Sequence, residues 1–332
     1  MTMGDPAGVG PEICVLAANH SEVTAICHPL IIGDLVRLAE AETILQQAGR
    51  TTSSYAELRS VEASHLKNLT VERTDGAIPV LDLGNVPAQL PWGRIQKEAG
   101  KAAYEYVDMA VQLALDGSVQ AICTAPLNKE AWKLARVPYP GHTEALAVLT
   151  GCTKYAMMLI NKGLRVVHVS THVSLKQAIA AVRTERVIEV IELTFHSLRQ
   201  FGMENPRIAV AGLNPHAGEG GLFGDEDLAR IAPAVEQAAS KGILVSGPWP
   251  PDSVYGRAAE GEFDAVIAMY HDQGHIAIKM LGMDTGINCT IGLPIVRTSV
   301  DHGTAFDIAG RGVVREASMV AAMKVAVEFA RK

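Results

Sequence analysis

No apolar run in the 332-residue chain approaches the roughly 20 residues needed to cross a bilayer: Val187 to Leu193 is interrupted by two glutamates, and Ala121 to Cys123 is only three residues. A membrane-spanning role is not expected. Nor is there a basic tract. Lys and Arg total 29 against 36 acidic residues, a net charge of -7, so the electrostatic footprint of a nucleic-acid binder is missing. Cysteine is scarce, and Cys14, Cys27, Cys123, Cys152 and Cys289 include no C-x-x-C pair. An odd number of scattered thiols fits buried core residues in a reducing compartment. Met1 is followed by a Gly/Pro turn, with no positive segment and no apolar segment of a signal peptide, so a cytoplasmic location is expected. Internal repeats and low-complexity linkers are also lacking.

The length is about twice a typical domain of roughly 150 residues, enough for one large or two medium cores. Short β-branched runs alternate with longer helical stretches, which predicts an α/β protein with a largely parallel sheet. Strands are expected over 30–32, 119–124, 155–160, 164–170, 207–213 and 264–270. Helices are expected over 98–115 and 185–201, each stopped by a glycine, and over 318–331. Between Thr51 and Trp92, isolated apolar residues mixed with Pro79, Pro87 and Pro91 suggest short antiparallel or edge strands.

Three of the expected strands run directly into a histidine. The 164–170 segment leads to His172, 207–213 leads to His216, and 264–270 leads to His271. In open parallel sheets the carboxyl ends of the strands are where ligands bind. Three neutral imidazoles converging there would suit zinc or another divalent metal with positions left open for substrate oxygens. The plain alternative is three separate loop histidines. His168 sits inside a strand and reads as a core residue.

Lys279, Asn288 and Arg297 supply the charge-assisted donors a phosphate dianion requires, although their spacing also fits solvated surface residues. His142 and Thr143 follow Gly141 at a predicted helix start, where free amides favour an anion such as a carboxylate. Thr143 could equally be a simple cap. The opening Gly4 to Glu12 segment does not match G-x-G-x-x-G, and Pro11 explains it as a turn and helix start.

The segment from Asp301 to Gly312 resembles the cofactor loop of the β-decarboxylating dehydrogenases, the isocitrate and isopropylmalate dehydrogenase superfamily. Within it, the chain is more similar to the 4-hydroxythreonine-4-phosphate dehydrogenase family. The similarity runs through Gly4 to Glu12, Thr124-Ala125-Pro126, Gly141 to Glu144, Thr171-His172, Asn214 to Glu219, Tyr270 to Gly274 and Arg297 to Gly303, and covers essentially the whole chain. The resemblance implies a two-domain α/β/α fold of the isocitrate/isopropylmalate dehydrogenase kind, with a mostly parallel sheet and an active site in the interdomain cleft. The first domain would take 1–135 and about 305–332, and the second about 136–304, carrying the metal ligands and dimer interface.

It also implies site residues. His172, His216 and His271 would hold a divalent metal (Zn, Mg or Co) at a site completed across a homodimer interface, where isocitrate dehydrogenase uses aspartates. Lys279, Asn288 and Arg297 would bind the substrate phosphate, His142 and Thr143 the rest of the substrate, and Asp252 resembles a position near it. His302, Gly303, Thr304 and Asp307 would bind the cofactor. An acid at Asp307 suits the free ribose hydroxyl of NAD and would repel the extra phosphate of NADP.

The implied reaction is NAD-dependent oxidation and β-decarboxylation of a 4-phosphorylated hydroxy acid. Thr124 to Glu130 and Tyr270 to Ile276 look more like the branch that converts 4-phospho-D-threonate or D-erythronate to dihydroxyacetone phosphate and CO2. The alternative is the branch that oxidises 4-phosphohydroxy-L-threonine in pyridoxal phosphate synthesis. A metal-dependent sugar-phosphate aldolase or epimerase would also pair histidines with a phosphate pocket, but would have no use for the 302–312 loop.

Overall fold

The computed structural model describes residues 1–51, 55–68, 76–282 and 286–331. In chain order its strands are β1 Ile31–Gly33, β2 Leu58–Val61, β3 Ile78–Asp82, β4 Ala121–Thr124, β5 Ala156–Asn161, β6 Leu164–His168, β7 Ile208–Ala211, β8 Val245–Trp249, β9 Ala265–Ala268, β10 Ile287–Ile291 and β11 Val296–Val300. The chain divides into two compact units, Met1–Cys152 with Pro294–Ala330, and Thr153–Leu293. The fold is α/β with a mostly parallel sheet, as the alternating pattern predicts.

In the first unit β3 lies between β1 and β2, parallel to both. Thr2 bridges Ile32 on one side and Thr124 on the other, and β4 continues in parallel to β11. The helix Lys97–Leu115 buries Ala99, Ala103, Tyr106, Val107 and Ala110, a three- and four-residue spacing that keeps one apolar face inward. Asp34 and Asn128 cap helices with side-chain oxygens on the amides of Arg37 and Ala131. Of the short antiparallel or edge strands expected between Thr51 and Trp92, the structure gives β2 and β3, with β2 at the sheet edge as expected but paired in parallel with β3, since 16 residues separate them and no tight turn joins them. Residues 52–54 and 69–75 of that stretch lie outside the described residues.

The second unit orders its strands β10-β5-β6-β9-β7-β8. β5 runs antiparallel to both β10 and β6, while β6, β9, β7 and β8 are mutually parallel. The β5–β6 reversal is local: Lys162 and Gly163, at φ 47° and 89°, form the two-residue turn that only an antiparallel pair can use. Every residue of β5 is buried, and Leu159, Val166, Ala209, Val266, Ala268 and Ile278 make the core around it. β8 escaped the sequence pattern because it contains Gly247 and Pro248, which an edge strand tolerates. Among the described residues no helix is long and apolar enough to cross a membrane.

Candidate active site

The parallel order β6-β9-β7 brings three strand ends side by side in the second unit. Each leads to one of the predicted histidines: His172 follows β6, His271 follows the central β9, and His216 follows β7. His271 is the first residue of the helix His271–Met280. Its ring centre is 5.7 Å from that of His172, and it stacks on His275 at 3.5 Å and 12°. His275 in turn lies 4.9 Å from His168.

Two of the predicted ligands have a carboxylate on Nδ1. His271 pairs with Asp272 at 2.7 Å, and His216 with Glu219 at 3.1 Å. Such a partner orients the ring and directs Nε2 outward, the usual arrangement behind a metal-bound imidazole. The Glu219 hydrogen bond raises the pKa of the exposed His216, and the charge of Asp252 adds to it. Asp252 is therefore within electrostatic reach of His216. Burial first, and His271 second, hold His275 down to about 4.

His172 and His271 are thus close neighbours, and His216 stands on its own turn, 6.2 Å from Phe223. Among the described residues no group of three or more His, Cys, Asp or Glu is gathered as a closed metal-binding set. The donor chemistry nonetheless fits a divalent ion: imidazoles from adjacent strands, two of them oriented by carboxylates, leave an open coordination sphere.

The cationic residues fall in both units. Lys279 is exposed on the helix that begins with His271, and Asn288 lies on β10. Arg297, on β11 in the first unit, is only 3 % exposed and donates from Nη2 to Thr124 Oγ1 at 2.7 Å. In the same unit His142 opens the helix His142–Leu149 after an extended Gly141, with Thr143 next to it. The His142 Nε2 is buried without a hydrogen-bond partner. Burial, then Arg297, then Lys129, push its pKa well below the ordinary imidazole range. The result is a neutral imidazole among cations, able to bond a substrate oxygen. Sequence reasoning missed Thr124 and Lys129 as members of this cluster, although both fall in a motif it had singled out.

The predicted cofactor loop rests on the N-terminal motif. Val9 N donates to the Thr304 carbonyl at 3.0 Å, and the fully buried Glu12 carboxylate accepts from Gly310 N and Gly312 N at 2.8 Å each. His302, Gly303 and Asp307 are exposed, and Thr304 is buried. The Gly4 to Glu12 segment is indeed a turn and helix start, but it is also the platform of that loop, which no local pattern revealed.

Comparison with known proteins shows the family. The family model described as pyridoxal phosphate biosynthetic protein PdxA matches residues 25–326. The chain is 48 % identical to D-threonate 4-phosphate dehydrogenase of Salmonella typhimurium, covering 99 % of this chain and 98 % of that one. It is 45 % identical to 4-hydroxythreonine-4-phosphate dehydrogenase of Desulfosudis oleivorans, covering 99 % and 95 %. The crystal structure of 4-hydroxythreonine-4-phosphate dehydrogenase from Klebsiella pneumoniae superposes with a TM-score of 0.88 at 44 % identity, covering 99 % and 98 %. The chain is therefore a dehydrogenase, an oxidoreductase acting on a CH–OH group. It belongs to the pyridoxal phosphate biosynthetic protein PdxA family.

Proposed function

We propose that the chain oxidises the 3-hydroxyl of 4-phospho-D-threonate, or of its erythronate epimer, with NAD. The β-keto acid so formed loses CO2 to leave dihydroxyacetone phosphate. The proton released on oxidation is taken up on decarboxylation, so the sum is substrate plus NAD giving product, CO2 and NADH. The observation that carries the reading is the placement of His172, His271 and His216 after three adjacent parallel strands.

When bound, a divalent ion (Zn, Mg or Co) would supply Lewis acidity at the substrate oxygens, and NAD the oxidising equivalents. The three histidines serve as neutral ligands, with Asp272 and Glu219 orienting two of them. Arg297, Lys279 and Asn288 hold the phosphate through charge-assisted bonds. His142 and Thr143 bind the remaining oxygens, and Asp252, within reach of His216, is the candidate acceptor of the hydroxyl proton. Asp307 and the His302–Thr304 segment receive the ribose of NAD.

The family resemblance adds a homodimer that shares the metal site. In its favour, the segment around His216 exposes Leu222 at 72 % and Phe223 at 46 %, apolar side chains suited to burial against a second copy. Five free cysteines fit a reducing cytoplasm. The second reading, oxidation of 4-phosphohydroxy-L-threonine, is favoured by the name of the Desulfosudis relative.

One assay separates them: NADH formation at saturating 4-phospho-D-threonate and at saturating 4-phosphohydroxy-L-threonine, each with and without chelator. The expected result is turnover of the threonate, abolished by chelator and by His216→Ala. Turnover of the amino compound alone would select the second reading. Activity that survives complete metal removal would remove the metal from the reaction.

A further inference from the structure

Beyond β7 the backbone does something L-amino acids avoid. His216, Ala217, Gly218, Glu219 and Gly220 are consecutively left-handed, with φ of 53°, 56°, 78°, 42° and 67°. Three of the five carry a Cβ that crowds the following carbonyl in this conformation. A strained turn of this kind persists only where its surroundings over-determine it.

What surrounds it is Asp227. This carboxylate is fully buried and accepts hydrogen bonds from Leu213 N at 2.7 Å, Asn214 N at 3.1 Å and Asn214 Nδ2 at 2.9 Å. Glycines make room for it. A Cβ on Gly212 would stand 2.7 Å from Asp227 Oδ1 and 2.8 Å from Ala217 Cα, and one on Gly218 would stand 3.3 Å from Asp227 Oδ2. Asp227 also opens a π-helical turn, Asp227–Ile231, an element found mostly where function requires an irregular backbone. Sinking a carboxylate among amides is unfavourable unless its oxygens are satisfied, and here the donors are the two residues that lead into the left-handed turn.

We infer that Asp227 is a positioning residue: its carboxylate clamps the entry of the left-handed turn and thereby aims His216 for metal ligation. The inference rests on the proposed role of His216 as a ligand.

Co(II) added to the full chain is the probe, followed by calorimetry and by its visible absorption bands. Asp227→Asn replaces one acceptor oxygen with a donor facing backbone N–H groups. It is expected to raise the Co(II) dissociation constant by about 10- to 100-fold and to shift the absorption bands. Adding Ala217→Gly, which relaxes the left-handed strain, should recover much of that loss. A purely structural carboxylate would not be rescued in this way. Unchanged affinity in a folded Asp227→Asn protein, or no rescue by Ala217→Gly, overturns the inference. Should Asp227→Asn not fold, Asn214→Ala removes a single donor of the clamp, and unchanged Co(II) affinity in that variant overturns it instead. His216→Ala separates the two levels. Wild-type affinity in that variant sinks the ligand reading and the inference with it, whereas lost affinity there beside full affinity in Asp227→Asn sinks the inference alone.

Discussion

Arg297 shows how much a single side chain can commit to. A guanidinium that is 3 % exposed must be matched by acceptors, and Thr124 Oγ1 takes one of its N–H groups. With Arg297 as a phosphate ligand, as proposed, Arg297→Ala should raise the KM for the phosphorylated substrate by about 10- to 100-fold, from the ~1.5–3 kcal/mol of a charge-assisted bond. The KM for NAD should change far less, and initial-rate kinetics with each substrate varied would show it. Two other buried groups set opposing pH dependences. Burial first, then His275, hold His168 at about 3 against an ordinary 6.5, so the unfolded chain binds its proton first, and stability falls as pH drops from about 6.5 toward 3. Asp5 is pushed by burial to about 6 from 3.8. The native state then holds the Asp5 proton more tightly, and this contribution is present below 3.8 and lost as pH rises through 6. Thermal unfolding between pH 4 and 6.5 should therefore show a weaker rise of Tm in His168→Asn and a steeper one in Asp5→Asn than in the parent. His168 was legible from sequence as a core residue, since it lies inside a strand. Asp5 was not, because burial by a turn leaves no periodic signal.

At the level of elements, the sequence located six strands to within a few residues wherever β-branched runs were uninterrupted. β8, β10 and β11 were missed for local reasons: β8 carries Gly247 and Pro248, while β10 and β11 mix polar residues such as Asn288, Arg297 and Thr298 with their apolar ones. Two of those polar residues, Asn288 and Arg297, are also the proposed phosphate ligands, so the pattern that obscured the strands is the one that suggested a binding role. The pairing of the Gly4–Glu12 motif with the 302–312 loop spans nearly the whole chain and has no local signature. It carries a prediction of its own. Glu12→Gln leaves one of the Gly310 and Gly312 amides facing an NH2 group, which should loosen the loop. The KM for NAD is then expected to rise about tenfold, with roughly 1.5–3 kcal/mol at stake in a bond to a charged acceptor. The KM for the phosphorylated substrate should move much less in the same assays. Equal effects on both would assign Glu12 to general stability.

For the whole molecule, the histidine trio lies in one compact unit, and Arg297, His142 and the Asp301–Gly312 loop lie in the other. The sequence contains no flexible linker at either crossing, so the division at Cys152 and Pro294 leaves no compositional mark. A site shared between two copies makes a distinct prediction. His216→Ala and His271→Ala should each be inactive alone, yet unfolding and refolding them together should regain activity, up to about a quarter of the parent if chains pair at random and one of two sites in each mixed dimer is intact. Sedimentation at twice the chain mass should accompany it. No recovery from a mixture that does form mixed dimers would place both histidines of each site in the same chain.

Local pattern was enough to establish an α/β chain, the strands that lead to His172, His216 and His271, and the motifs that mark the family. Hydrophobic period, turn residues and short ordered motifs are properties of neighbours along the chain. The side-by-side order of β6, β9 and β7, the stacking of His271 on His275, the Glu12 platform and the Asp227 clamp on a left-handed turn all needed the folded molecule. They depend on which distant segments pair and which polar atoms become buried together, and both are settled by crossovers and packing that no short window of sequence contains.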